Sequence, residues 1–316
     1  MADAGMVVGV TGSSGYIGTR LMARLGQAGG YRRIAGVDVR EPREALPQRA
    51  EFHRCDVRDG EALRGILEGA AVDTVVHLAY ILDPTRDPDF EHDVDVNGTR
   101  NVLAACEAVG VGKLVVASSD TAYGLYEDAP DYLPEDAPLR GTPGFAYSEN
   151  KAKVETLVAE FAERRPDCAV VVLRPCIVMG PNADNVLGRT LLQPVLFSVR
   201  GYDPIMQLIH EDDVAEAFYL ALVKEAQGAF NVAADGGLRY SQIAQVMGKP
   251  VVGLPVGLAY TVVEGLFRLH LLGFGRSQLD YIRYPLSINA DKIQRELGFR
   301  PEYTTRQALE AFRDAH

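Results

Sequence analysis

The feature that most constrains this chain is a glycine turn near its start, Val10-Thr11-Gly12-Ser13-Ser14-Gly15-Tyr16-Ile17-Gly18. The apolar run Met6–Val10 before it predicts a strand, and the pattern over Thr19–Ala28 after it predicts a helix. Glycines so spaced let the backbone turn tightly and approach a pyrophosphate, whose charge the helix N-terminus stabilises. Three glycines at a strand end also occur in ordinary turns. A second predicted strand, Ile34–Val39, separates the two readings, because it carries Asp38 20 residues after Gly18. A carboxylate at that place accepts hydrogen bonds from the adenosine ribose hydroxyls. Its charge repels a 2′-phosphate, so Asp38 favours NAD over NADP, with Arg40 as a partial offset.

The alternation continues. Strands are predicted at Glu51–Val57, Val72–Ala79, Lys113–Ser118 and Cys168–Leu173, and helices at Gly60–Glu68, Asn97–Val109 and Tyr147–Arg164. Nearly continuous apolar strands between helices imply a doubly wound parallel sheet of the α/β, Rossmann type, covered on both faces. The rhythm breaks after Arg174. Residues 176–204 are rich in Gly, Pro and Asn, short strands return at Met206–His210 and Ala229–Val232 around a helix at Asp213–Lys224, and a last helix starts near Asp291. The expected layout is a dinucleotide-binding domain of residues 1–175 and 205–233, and a smaller α/β substrate-binding lobe of residues 176–204 and 234–316.

Composition narrows the partners. A net charge of -11 with no basic cluster gives neither nucleic acid nor an anionic membrane a site to bind. Cys55, Cys106, Cys168 and Cys176 are too far apart for a zinc site or a secreted disulfide framework, so buried reduced thiols and no metal are expected. The start of the chain has no secretory leader pattern. The least polar region, Pro250 to Gly275, is interrupted by Pro255, Glu264, Arg268 and His270, whereas a membrane span needs about 20 apolar residues in succession. A cytoplasmic location is the resulting expectation.

Tyr147-Ser-Glu-Asn-Lys151 opens a predicted helix, and residues i and i+4 share a helical face, so phenol and ammonium point into one cleft. A free tyrosine has a pKa of about 10, and a neighbouring cation is expected to lower it into the range of a working base. Most Tyr-x-x-x-Lys pairs are surface pairs. This one comes after Ser118-Ser119-Asp120-Thr121 at the C-terminal end of a predicted parallel strand, the edge where such sheets bind ligands. Ser119 is placed to hold the same substrate oxygen.

The sequence resembles the extended short-chain dehydrogenases, the NAD-dependent epimerase/dehydratase family. The resemblance rests on the glycine loop 12–18, Asp38, Asp56-Val57, His77-Leu78-Ala79, Asn97-Gly98-Thr99, Ser118-Ser119, Tyr147 with Lys151, Leu173-Arg174-Pro175, Gly180-Pro181, His210-Glu-Asp-Asp213-Val-Ala215 and Gly228-Ala-Phe-Asn231. It implies NAD as cofactor and Ser119, Tyr147 and Lys151 as catalytic residues. It further implies a cofactor site built from Gly12, Gly15, Tyr16, Ile17, Gly18, Asp38, Asp56 and Val57, with Leu78, Ala79 and Asn97 along the dinucleotide. Tyr147 and Lys151 would hold the nicotinamide ribose, with Pro175 and Cys176 near the nicotinamide. A homodimer through a four-helix bundle of helices 97–109 and 147–164 is implied as well. His77 and His210, at predicted strand ends, are read as structural.

Three departures bear on the substrate. Dehydratases of the family use Thr-Asp-Glu where this chain has Ser119-Asp120-Thr121, so dehydration lacks its glutamate, although Asp120 remains able to transfer a proton. Nucleotide-sugar epimerases carry an asparagine where Arg174-Pro175-Cys176 is followed by Ile177, and Asn182 is the nearest replacement. The apolar stretch Val251–Gly275, with Tyr260, Phe267, Leu271, Leu272 and Phe274, reads as an amphipathic lid helix packed on the core or as the wall of an apolar pocket. Tyr80, Asp120, Thr121 and Asn182 are therefore the candidate substrate residues. The leading expectation is nucleotide-sugar epimerisation. The alternative is net alcohol oxidation or ketone reduction on a hydrophobic small molecule, as in the 3-beta-hydroxysteroid dehydrogenase-like and dihydroflavonol reductase-like branches. A catalytically silent NAD-binding regulator stands third.

Overall fold

Val7, Val8 and Val10 of the first strand, β1 (Met6–Thr11), are all fully buried, as a strand covered on both faces requires. The computed structural model describes residues 5–83, 85, 87–269 and 275–316. β1 lies inside a seven-stranded sheet with β2 (Tyr31–Asp38), β3 (Ala50–Arg54), β4 (Thr74–His77), β5 (Lys113–Ala117), β6 (Ala169–Pro175) and the strand Gly228–Val232. The spatial order is Gly228–Val232, β6, β5, β4, β1, β2, β3, and every pairing in it is parallel. Alternate side chains of one strand enter different cores. Val8, Val76 and Val115 meet Leu21 and Leu25 of α1 (Tyr16–Ala28) and Phe218 of the helix Glu211–Val223. On the other face, Val7, Val75 and Val116 meet Leu63 of α2 (Gly60–Gly69). The chain then passes through a short helix, α3 (Pro88–His92), and a π-helical turn, Asp93–Asn97, that joins α4 (Gly98–Val109) directly. Val102 of α4 and Phe161 of α5 (Ala146–Arg164) complete this second core.

Chain order reverses between β1 and β4, and the crevice beyond their C-terminal ends is where such sheets bind ligands. The glycine turn leaves β1 there, and His77-Leu78-Ala79 leaves β4 there.

Beyond β6 the elements are small. Ile177–Met179 pairs in parallel with Leu208–His210, Ile205–Met206 pairs antiparallel with Leu238–Arg239, and Leu196–Val199 pairs in parallel with Val251–Leu254. The single strand expected over Met206–His210 is thus two. Gln207 stands between them and turns its side-chain carbonyl to the Ile288 N–H (2.7 Å). The last helix is also two, Asp291–Leu297 and Thr305–Ala315, because Gly298 closes the first at φ +67°. Among the described residues of the stretch 251–275, Val251–Leu254 is a strand and Val256–Arg268 a helix, where one lid helix was expected. Only Ala259 of that helix is buried, and Leu258 and Val262 face outward. Leu271, Leu272 and Phe274 lie outside the described residues. Among the described residues no helix is long and apolar enough to cross a membrane.

Candidate active site

The glycine turn is shaped as its spacing implied. Gly12 has φ +73°, and a Cβ there would lie 2.6 Å from the Ala79 nitrogen; one on Gly18 would lie 2.1 Å from the Gly12 carbonyl oxygen. Neither contact is possible for a side-chain-bearing residue. The Gly12 N–H donates to Val37 O (2.8 Å), which fastens the turn to the next strand. Asp38 ends that strand buried, its two oxygens accepting from the Ser14 N–H (3.0 Å) and the Arg40 N–H (2.9 Å). The Ser13 and Ser14 hydroxyls are buried with no partner. Buried hydroxyls seldom stay unpaired, and two of them in a cradle that excludes side chains fit a bound pyrophosphate.

Other expected cofactor residues lie on the segments that leave β3 and β4 and on elements packed beside them. Leu78 donates its N–H to Thr11 O (3.0 Å), and Ala79 backs Gly12. Val57 packs so closely on Gly98 that a Cβ there would meet it at 2.7 Å. The Arg58 guanidinium grips Asp56 (2.6 Å at closest) and holds its carboxyl below the usual range. Asn97 ends the π-helical turn, its amide spanning Asp93 (2.9 Å) and Arg100 (2.7 Å). Ile17 packs against the core on the α1 side.

The catalytic candidates come from two segments, the turn beyond β5 and the first two turns of α5. Ser119 lies just beyond β5; its hydroxyl donates to Asp120 Oδ1 (3.1 Å) and accepts from the Thr121 N–H (3.2 Å). The Tyr147 phenol, on the first turn of α5, lies within the influence of the Ser119 side chain. Lys151, one turn on, is buried and donates to the Ala117 carbonyl at the end of β5 (2.7 Å). Its Nζ lies 3.0 Å from the centre of the Tyr80 ring and 5.6 Å from that of Tyr147.

That geometry corrects the expectation of a lowered tyrosine. Burial pushes the Tyr147 phenol up; the Ser119 hydroxyl opposes this, and the nearby Asp120 and Asp95 carboxylates reinforce it. Lys151 is itself lowered by burial. Its ammonium is turned to Ala117 and Tyr80, so the phenol gains little from it. Tyr80, expected at the substrate, packs instead on Lys151 and on His77, ring centres 4.6 Å apart.

His77 is enclosed by the Thr11 and Thr99 hydroxyls (2.7 and 3.0 Å) and driven down to about 3 by burial, so it is neutral and structural. The Glu155–Arg174 pair is structural too. It is bidentate, buried, and continued by Tyr123 (2.7 Å from Arg174) to Asn231 (2.8 Å). Arg174 and Asn231 of the sequence motifs thus form a brace behind β6. Pro175 ends that strand, and Cys176 anchors its N–H on Val232 O (2.9 Å) with a thiol that burial pushes up.

Asp120 is the unusual group. Burial raises its carboxyl to about 7, against hydrogen bonds from Ser119 and the Thr121 backbone. It lines a small recess with Ile177, Ile205, Met206, Tyr281 and Leu286. The neighbouring Thr121 hydroxyl is buried without a hydrogen-bond partner among the described residues, and Tyr281 shares the recess with Asp120. No sequence signal pointed to Tyr281. It lies far along the chain from Asp120, and folding alone brings the two together.

The run His210-Glu-Asp-Asp213 works as a clamp. His210 accepts from the Asp212 N–H (3.2 Å) and stacks on Tyr303 at 3.9 Å. Glu211 accepts from the Tyr16 phenol (2.6 Å) and from the Asn182 amide (2.5 Å), and a Cβ on Gly180 would strike it at 2.6 Å. Asp212 pairs with Arg20 of α1 (2.8 Å), and Asp213 accepts from the Glu302 and Tyr303 N–H groups (2.8 and 3.2 Å). Tyr16 and Asn182 are therefore joined through Glu211, and Asn182 stands on this clamp rather than beside Asp120. Sequence reasoning placed Glu211 within a motif without giving it a role, and it passed over Asp95.

Comparison with known proteins gives one consistent answer. The profile of a family described as "NAD dependent epimerase/dehydratase family" matches residues 8–233. An uncharacterised protein of Mycobacterium tuberculosis is 32% identical over 315 residues, covering 98% of this chain and 82% of its own. The UDP-glucose 4-epimerase of Thermus thermophilus, solved with NAD, is 24% identical with a TM-score of 0.77 over 98% of both chains. That of Thermotoga maritima, solved with UDP-glucose, is 20% identical with a TM-score of 0.77 over 98% of both. At these identities the two structures speak for the fold.

Proposed function

Because the chain belongs to the NAD-dependent epimerase/dehydratase family, we propose that it is an NAD-using enzyme acting at a secondary alcohol or ketone carbon. The observation that carries this reading is the convergence of Ser119, Tyr147 and Lys151 beside a glycine cradle with unpaired serine hydroxyls. Gly12, Gly15, Gly18, Ser13 and Ser14 hold the pyrophosphate, Asp38 the adenosine ribose, and Lys151 the nicotinamide ribose. Bound NAD supplies the hydride acceptor. Ser119 orients the substrate oxygen, and Tyr147 takes its proton on oxidation and returns it on reduction. Burial favours the protonated phenol, the form that returns the proton on reduction; taking the proton on oxidation requires the phenolate. Asp120, poised near neutrality, supplies a second proton-transfer group beside the reacting carbon.

The substrate we infer is a nucleotide sugar, epimerised by oxidation to a ketone and reduction on the other face, with segments 176–204 and 234–316 forming its lobe. The likeness to UDP-glucose 4-epimerases over almost the whole chain supports this reading. One observation favours a hydrophobic alcohol or ketone instead: four aliphatic side chains, Ile177, Ile205, Met206 and Leu286, line the recess at Asp120. The test is incubation with NAD and either UDP-glucose or UDP-galactose, followed by product analysis and absorbance at 340 nm, where NADH absorbs. Interconversion of the sugars without net absorbance change supports epimerisation. Failure with both sugars, together with steady NADH formation from an apolar secondary alcohol, selects the second reading.

A further inference from the structure

The proposed chemistry leaves one buried carboxylate beside the lysine without a role. Asp95 sits in the π-helical turn Asp93–Asn97, a geometry that recurs at functional sites. It is buried, with Oδ1 accepting from the Ile81 N–H (2.9 Å) and Oδ2 from the Asn150 amide (3.3 Å). Ile81 follows Tyr80, whose ring covers the Lys151 ammonium, and Asn150 precedes Lys151 on α5. Both partners of Asp95 are thus neighbours in sequence of the groups that enclose the lysine.

A buried ammonium needs a compensating charge. Lys151 has a carbonyl (Ala117) and a π-face (Tyr80) as direct contacts, and neither carries a full charge. The groups acting on it from the surrounding elements are Asp95 in the π-helical turn, Glu155 on its own helix, and His77 on β4, which is neutral. Tyr147 and Tyr80 are held as neutral phenols by burial. Glu155 is already neutralised by the bidentate Arg174 guanidinium and also accepts from the Ser118 hydroxyl (2.5 Å). We propose that Asp95 is a positioning residue, the buried counter-ion that keeps Lys151 charged where Ala117 and Tyr80 hold it. The mutual effect runs both ways: Asp95 raises the lysine against its burial, and Lys151 lowers the aspartate against its own.

The inference uses the reading of Lys151 as a cofactor-site residue only for its consequence; the coupling itself is tested without cofactor or substrate. Lysine carrying 13C at Cε gives one signal for each of six lysines, and Lys151→Met assigns the one that matters. In Asp95→Asn, which keeps the shape of the side chain, the Lys151 midpoint is expected to fall by about one to three pH units. In Lys151→Met, the Asp95 carboxyl midpoint is expected to rise by the same amount, because coupling is reciprocal. Either midpoint staying within about 0.3 pH unit of its wild-type value overturns the proposal. If Asp95→Asn does not fold, the Lys151→Met arm decides alone. A protein with this coupling but no hydride-transfer activity would leave Asp95 in its role and remove the proposed function instead.

Discussion

The hydroxyl of Ser119 donates to Asp120 Oδ1 across 3.1 Å, so the serine expected to hold the substrate oxygen is tied to a carboxyl poised to move a proton. The pair carries the first prediction. Burial raises Asp120 to about 7, so between the ordinary carboxylate range and that value the folded chain binds a proton that the unfolded chain releases. Its stabilising contribution is full below about pH 4 and is lost as pH rises through about 7. Asp120→Asn is expected to melt at a higher temperature than wild type at pH 8, with the difference closing toward pH 4. Thermal melts across that range check it; a pH-independent difference would contradict it.

Tyr147→Phe removes the proton-transfer hydroxyl and leaves the ring. Activity is expected to fall about 10²–10⁴-fold. NAD affinity, measured by calorimetry, should change far less. A variant with undiminished turnover would remove Tyr147 from the proposed proton transfer.

Gly12→Ala places a methyl 2.6 Å from the Ala79 nitrogen at a φ of +73°. A loss of about 1–3 kcal/mol in stability is expected from the backbone conformation alone. Cofactor binding should be lost with it, as calorimetry and denaturant unfolding would show.

Asp38→Asn retains a carbonyl oxygen that can accept one of the two backbone hydrogen bonds, and it removes the charge. The ratio of kcat/KM for NAD over NADP is expected to fall, because the 2′-phosphate then meets Arg40 without an opposing carboxylate. An unchanged ratio would remove Asp38 from cofactor selection.

Glu155→Gln leaves the buried Arg174 guanidinium without its counter-charge. A loss of about 3–5 kcal/mol is expected on breaking such a pair from one side. Chemical denaturation measures it directly.

Much of the fold was legible because its signals are local. The strand–glycine turn–helix unit, the helix carrying Tyr147 and Lys151, and the succession of parallel strands each rest on spacings within a short stretch. The splitting of the strand at Gln207 and of the final helix at Gly298 was not, because distant partners and a left-handed residue decided them. Within the site, Asn182 looked available to a substrate, whereas Glu211, 29 residues away, holds its amide.

The sequence by itself determined the sheet, the glycine turn and the i, i+4 placement of phenol and lysine, since backbone geometry and helical period depend on residue type and spacing. Only the tertiary structure decided the charges. It turned Lys151 toward Ala117 and Tyr80, raised Tyr147 where a lowering was expected, and brought Asp120 and Tyr281 to one recess. Desolvation and Coulomb interaction depend on which distant groups surround an atom, and that is set only when the chain has closed around it.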